Sequence, residues 1–200
     1  EKMTAIQNAA AIAALTATVN KLATDSQTYN LLTMGALAFT MQAGFLCLEV
    51  GTIRMKNTRP VLIKNLIDVC VTAFFYWGFG YAFAFGESQL QTNKKNAGFI
   101  GDTNYFYSGN PDNYQINFLG YGHMFFNFVM AAVCVSIVSG AVAERMSTTT
   151  YMLYSAFLGG FVFPVVSHWV WAAPGWLCAW QKFMGKQDLY MDVGAIDFAG

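Results

Sequence analysis

Four stretches of the chain are nearly unbroken apolar runs, near residues 30–53, 60–86, 118–143 and 150–173. Each reaches the roughly 20 residues a helix needs to cross a hydrocarbon core, so the pattern predicts four membrane-spanning helices. A fifth run starts at about Val193 and is cut off at Gly200. The opening stretch is different. Its apolar positions (Ile6, Ala9, Ala10, Ile12, Ala13, Leu15) recur at helical spacing, but Gln7, Asn8, Asn20 and Lys21 make it too polar to span. It predicts a short separate helix over residues 1–29. A signal peptide would have a charged start, an unbroken apolar core and a small-residue cleavage site, so this segment is expected in the mature protein.

The connections set an orientation. The loop "RMKNTRP" holds Arg54, Lys56 and Arg59 and no acid, and "ERMSTTT" holds Arg145, whereas the other two connections mix both signs. The positive-inside rule then puts the first two in the cytoplasm and the N-terminus outside. The expected external loops are 87–117, long and turn-rich, and 174–192, which carries Trp176, Trp180, Phe183 and Tyr190.

Composition supports a polytopic all-α membrane protein: 56% of residues are hydrophobic and only 11% are charged. Eleven basic residues offset by eleven acidic ones leave no cationic face for nucleic acid. Cys47, Cys70, Cys134 and Cys178 show neither metal-ligand spacing nor a disulfide framework. His123 and His168 have no Cys or carboxylate at ligand spacing, so no metal, no cofactor and no enzymatic constellation is expected.

Polar residues inside or at the ends of the spans are costly in lipid, at least about 2.5 kcal/mol for a charge at the bilayer centre. They are Gln42, Glu49, Lys64, Asp68, His123, Asn127, Glu144, His168 and Asp197. Glu49 and Glu144 lie within reach of Arg54 and Arg145 and are expected to satisfy helix ends and ion pairs. Lys64 and Asp68 are one turn apart and are expected to pair along a helix face. His168, beside Trp169 and Trp171, is expected to pack with a hydrogen bond. Glycines in every span predict close helix packing. Pro164, inside the fourth span, predicts a kink and a freed carbonyl.

Taken in order, "GFLCLEVGTIRMKN", "LIKNLIDV" with "FGYAFAFG", "GAVAER", "GGFVFPVVSHWVW" and "GAIDFAG" resemble the N-terminal half of the ammonium transporter (Amt) family, particularly its plant and protist type. The external "GFIG" adds to the match, which covers about residues 30–200. The resemblance implies a fold of eleven spanning helices in two inverted halves, a pore through each subunit and a homotrimer in the cell membrane. Residues 30–200 would be four spans and the start of a fifth, the N-terminal part of that transmembrane domain in a protein roughly twice as long as this chain.

The same resemblance supplies site residues. Asp197 matches the aspartate of the family's "DFAG" motif, which supports cation recruitment at the external mouth. Read from the residues alone, an Asp at the start of a helix caps backbone N–H groups; the two roles are compatible and both stay open. Trp171 and Phe126 match the aromatic residues against which the cation lies, an attraction of about 0.5–2 kcal/mol per ring. Met130 falls where the family usually has the phenylalanine that gates the pore. A methionine there fills an apolar constriction without an aromatic face. The implied function is ammonium transport through an apolar pore; the alternative is an ammonium sensor that signals through an attached cytoplasmic domain.

Overall fold

The computed structural model describes residues 2–86, 99–103, 105–107, 114–172, 175–178, 194–195 and 197, with backbone alone for 2–7 and 114–119. Among these residues every regular element is helical, apart from one isolated bridge between Cys178 and Ala195. The protein is an all-α polytopic membrane protein: four helical stretches, Asn8–Thr52, Met55–Phe85, Gly120–Val142 and Thr148–Val170, are long and apolar enough to cross a membrane. They correspond to the four spans read from the sequence. The fifth, from Val193, lies almost wholly outside the described residues.

The first element departs from expectation. Helix α1, Lys2–Thr52, runs without a break through the boundary predicted near residue 29. Its 51 residues extend about 77 Å at 1.5 Å per residue, far more than a bilayer core requires. The physical reason is that no glycine or proline occurs before Gly35 to stop the helix. The hydroxyls of Thr24, Thr28 and Thr33 also fold back onto the carbonyls four residues earlier, so these polar positions are accommodated within the helix.

A short 3-10 turn, Met55–Asn57, leads into α2, Thr58–Phe75. A wide π-turn, Tyr76–Gly80, joins α2 to α3, Tyr81–Phe85, without leaving the span. Helix α4, Tyr114–Val142, is kinked at Gly120, whose φ of 51° is a left-handed value that glycine adopts without a Cβ clash. The last span is α5, Thr148–Phe157, a second π-turn, Leu158–Val162, and α6, Phe163–Val170. Ser147 caps α5, its hydroxyl accepting the Thr150 N–H at 3.3 Å. The disturbance predicted from Pro164 is this second π-turn: proline has no N–H for the carbonyl one turn earlier, and the wider turn absorbs the mismatch.

The two π-turns lie against each other. A Cβ on Gly80 would stand 3.2 Å from the Gly159 carbonyl oxygen, one on Gly159 would stand 2.7 Å from Thr72 Cγ2, and one on Gly160 would stand 3.1 Å from Phe75 Cβ. Beside this seam the buried rings of Tyr76, Tyr81, Phe85 and Tyr107 gather with Ala131 and Ala172, and Phe128 and Phe163 pack against them. Helix α4 lies along α1 through Gly35 against Phe125 and Gly122 against Thr28.

The ends of the spans are of two kinds. At the basic end, where α1 and α4 finish and α2 and α5 begin, polar groups close on one another. Arg54 Nη2 lies 3.1 Å from Glu144 Oε2, and the Asn57 side-chain amide donates to Glu144 Oε1 at 2.9 Å. These bonds, led by the Arg54 guanidinium, hold the Glu144 carboxyl down at about 2.

Two expected pairs do not form. Lys64 does not bond Asp68; its ammonium donates to Met146 O at 2.6 Å and Ala143 O at 3.4 Å, satisfying carbonyls where α4 ends. Glu49 does not reach Arg54, because it points inward from α1 while Arg54 lies past the helix end. Its carboxylate accepts from Asn65 at 2.8 Å and from the Ser139 hydroxyl.

Candidate functional site at the aromatic end

The opposite end is built from loops that return to the helices. Phe106 N–H donates to Gly78 O at 2.8 Å and Gly101 N–H to Phe83 O at 3.0 Å, so the segment after α3 folds back over its own span. Trp169 reaches the same segment, its indole N–H donating to Phe99 O at 2.9 Å with the two rings 5.2 Å apart. His168 is fully buried and its Nδ1 lies 2.8 Å from Ala84 O, tying α6 to α3 in the hydrogen-bonded packing role read from the sequence.

Trp171 stands just past α6, with its backbone N–H on Ser167 O. The residue is 41% exposed. The chain then turns, with Leu177 N–H on Trp169 O and Ala195 N–H on Leu177 O at 2.7 Å, and this brings residues 194, 195 and 197 back over the end of α6. As a result the Trp171 indole N–H donates to Asp197 Oδ2 at 3.1 Å, across 26 positions of sequence. Both side chains face outward. The helix that Asp197 was expected to cap lies outside the described residues.

Phe126 and Met130 are one turn apart on α4 and part-exposed. Contacts of α4 with α1 use Gly122, Phe125, Ser136 and Ser139, and those with α3 and its surroundings use His123 and Ala131. Helical periodicity puts Phe126 and Met130 between these two faces, and the Phe126 backbone lies against Gly35 of α1. Among the described residues Phe126 makes no ring pair, whereas its neighbours Phe125 and Phe128 pair with each other. Two of the four expected residues, Trp171 and Asp197, are thus in contact, and the other two lie one turn apart on α4.

One grouping was not read from the sequence. His123 is held between the Tyr81 hydroxyl, 3.0 Å from Nδ1, and the Asn127 amide, 3.2 Å from Nε2, with the Phe85 ring edge-on at 4.5 Å. The i, i+4 spacing of His123 and Asn127 was a legible signal; the partners from α3 were not.

Set against known proteins, residues 29–200 match the Ammonium Transporter Family. The chain belongs to that family. It is 40% identical over 150 residues to ammonium transporter 1 member 1 of Arabidopsis thaliana, covering 75% of this chain and 27% of that protein. Against ammonium transporter 1 member 3 of Solanum lycopersicum it is 37% identical over 164 residues, covering 82% of this chain and 32% of the relative. Ammonium transporter 3 of Dictyostelium discoideum is 33% identical over 164 residues. Among solved structures, a chain named "Sensor Amt Protein" superposes with a TM-score of 0.65 at 28% identity, over 74% of this chain and 34% of that one. This family member thus spans under a third of the length of the curated relatives it matches.

Proposed function

We propose that the protein carrying this chain transports ammonium across the cell membrane, recruiting it outside at Trp171, Asp197 and Phe126 and passing it along an apolar path gated at Met130. The observation that carries the reading is the Trp171–Asp197 hydrogen bond, which sets a carboxylate at the edge of a part-exposed indole. An ammonium ion gains there from the negative charge of the carboxylate and the electron-rich ring face, and it donates hydrogen bonds that an alkali ion lacks. The family and the names of the curated relatives support ammonium as the cargo. Uptake by the full protein tests the site, with trimer assembly checked by light scattering. Asp197→Ala should weaken apparent ammonium affinity about tenfold, since it removes a charged partner, and Trp171→Phe about threefold, since it keeps a ring. The opposite ranking would overturn the assigned roles.

The basic loops support an orientation with Arg54, Lys56 and Arg59 inside, and with the N-terminus and residues 1–29 outside. Single cysteines at Met55 and Ser108, in a background lacking the native cysteines, would be labelled on intact cells by an impermeant thiol reagent. Labelling at Ser108 alone fits this orientation; labelling at Met55 alone reverses it.

A second reading, ammonium sensing on the same fold, is favoured by the structural likeness to the chain named as a sensor. Saturable ammonium binding by the purified protein without flux in proteoliposomes would select it.

A further inference from the structure

Along α2 and into the π-turn that follows it, every fourth residue from Lys64 carries a polar group and is buried: Lys64, Asp68, Thr72 and Tyr76. Lys64 is satisfied by carbonyls of the α4 end, and Glu49, on α1 nearby, by Asn65 and Ser139. Asp68 is not. It is 2% exposed, and its Oδ1 has no hydrogen-bond partner. The hydroxyls of Ser155, Tyr151 and Thr72 surround this carboxyl. Those of Thr72 and Tyr151 are themselves buried without partners, as is that of Tyr154, whose ring lies 6.0 Å from that of Tyr151. The Ser155 hydroxyl donates to Tyr151 O at 3.0 Å, which leaves only lone pairs to turn toward Asp68.

Buried polar atoms are nearly always paired, and an intramembrane carboxylate with no contacting cation is costly. Here three hydroxyls, each with lone pairs besides its O–H, gather about one carboxyl, and hydrogen bonds from them leave its negative charge uncompensated. We propose that Asp68, Thr72, Tyr151 and Ser155 form an internal site for one small monovalent cation between α2 and α5. One carboxylate balances one positive charge. Hydroxyl and carboxylate oxygens suit either the hydrogen-bond donors of ammonium or the coordination of an alkali ion. A divalent or transition metal would call for more anionic or imidazole ligands, and among the described residues no group of three or more His, Cys, Asp or Glu occurs. The site is separate from Trp171 and Asp197, which lie at the other end of the α5–α6 span.

The test is thermal unfolding of the purified full protein in detergent, titrated with ammonium, potassium or sodium chloride, with choline chloride as the ionic-strength control. A Trp171→Ala, Asp197→Ala background removes the mouth. The midpoint should rise saturably with at least one of the three small cations and not with choline; ammonium alone, or the alkali ions, identifies the occupant. Asp68→Asn should abolish the rise. Thr72→Val and Ser155→Ala, which keep the charge, should each weaken half-saturation about tenfold, and they decide the matter if Asp68→Asn does not fold. No saturable rise with any cation, or half-saturation unchanged in both hydroxyl variants, overturns the proposal. The readout needs no flux, so its failure leaves the transport reading standing, and loss of uptake in Asp197→Ala leaves this site standing.

Discussion

The glycines of the seam between the two π-turns and those on the lower half of α1 occupy the same kind of sequence, apolar spans, and meet opposite surroundings. At Gly80, Gly159 and Gly160 a single added carbon would fall within 3.2 Å of a neighbouring helix's atoms. At Gly44 and Gly51 nothing lies within 4 Å. The close packing expected of membrane glycines therefore holds at the seam and fails on this face of α1, where Leu37, Leu48 and other large apolar side chains are also exposed. In the seam a glycine is a contact. At Gly44 and Gly51 it is a gap in an exposed apolar surface.

Substitution separates the two cases most sharply. Gly159→Ala should destabilise the protein by about 1–3 kcal/mol, because Thr72 is β-branched, fully buried and cannot turn away. Gly44→Ala should be neutral or stabilise by up to about 1 kcal/mol through helix propensity. Thermal unfolding in detergent compares them, and equal losses at both positions would erase the distinction.

Phe126 and Met130 on α4 lie between these extremes: part-exposed, neither sealed nor bare. Met130→Phe should retain ammonium binding and change flux by about twofold or more, equivalent to about 0.4 kcal/mol in barrier. Flux and binding both unchanged, in a correctly assembled protein, would make Met130 an ordinary packing residue.

The smallest effect belongs to the exposed polar end. Glu144 is held at about 2 by Arg54 and Asn57, below its ordinary 4.5. A depressed carboxyl contributes stability above the unfolded value and loses it as pH falls through the folded one. The difference in unfolding midpoint between the native protein and Glu144→Gln should therefore be constant above about pH 5 and shrink to nothing between about 4.5 and 2. Being solvent-exposed, the pair should also weaken with salt. A difference that grows on acidification would contradict the assignment.

What the sequence determined by itself was the set of spans and the family. Both follow from one-dimensional properties: apolar run length, and ordered motifs such as "GAVAER" and "DFAG". It also isolated the costly residues, since a carboxylate in an apolar run stands out whatever surrounds it. Partners were another matter. Spacing suggested Lys64 with Asp68, yet the free carbonyls at the end of α4 offered the ammonium better-placed acceptors. Trp171 and Asp197 were each legible as motif members, but their hydrogen bond depends on a turn pinned by Leu177 and Ala195. Only the tertiary structure decided these pairings, because a hydrogen bond is fixed within tenths of an ångström by backbone paths that residue spacing along one helix does not encode.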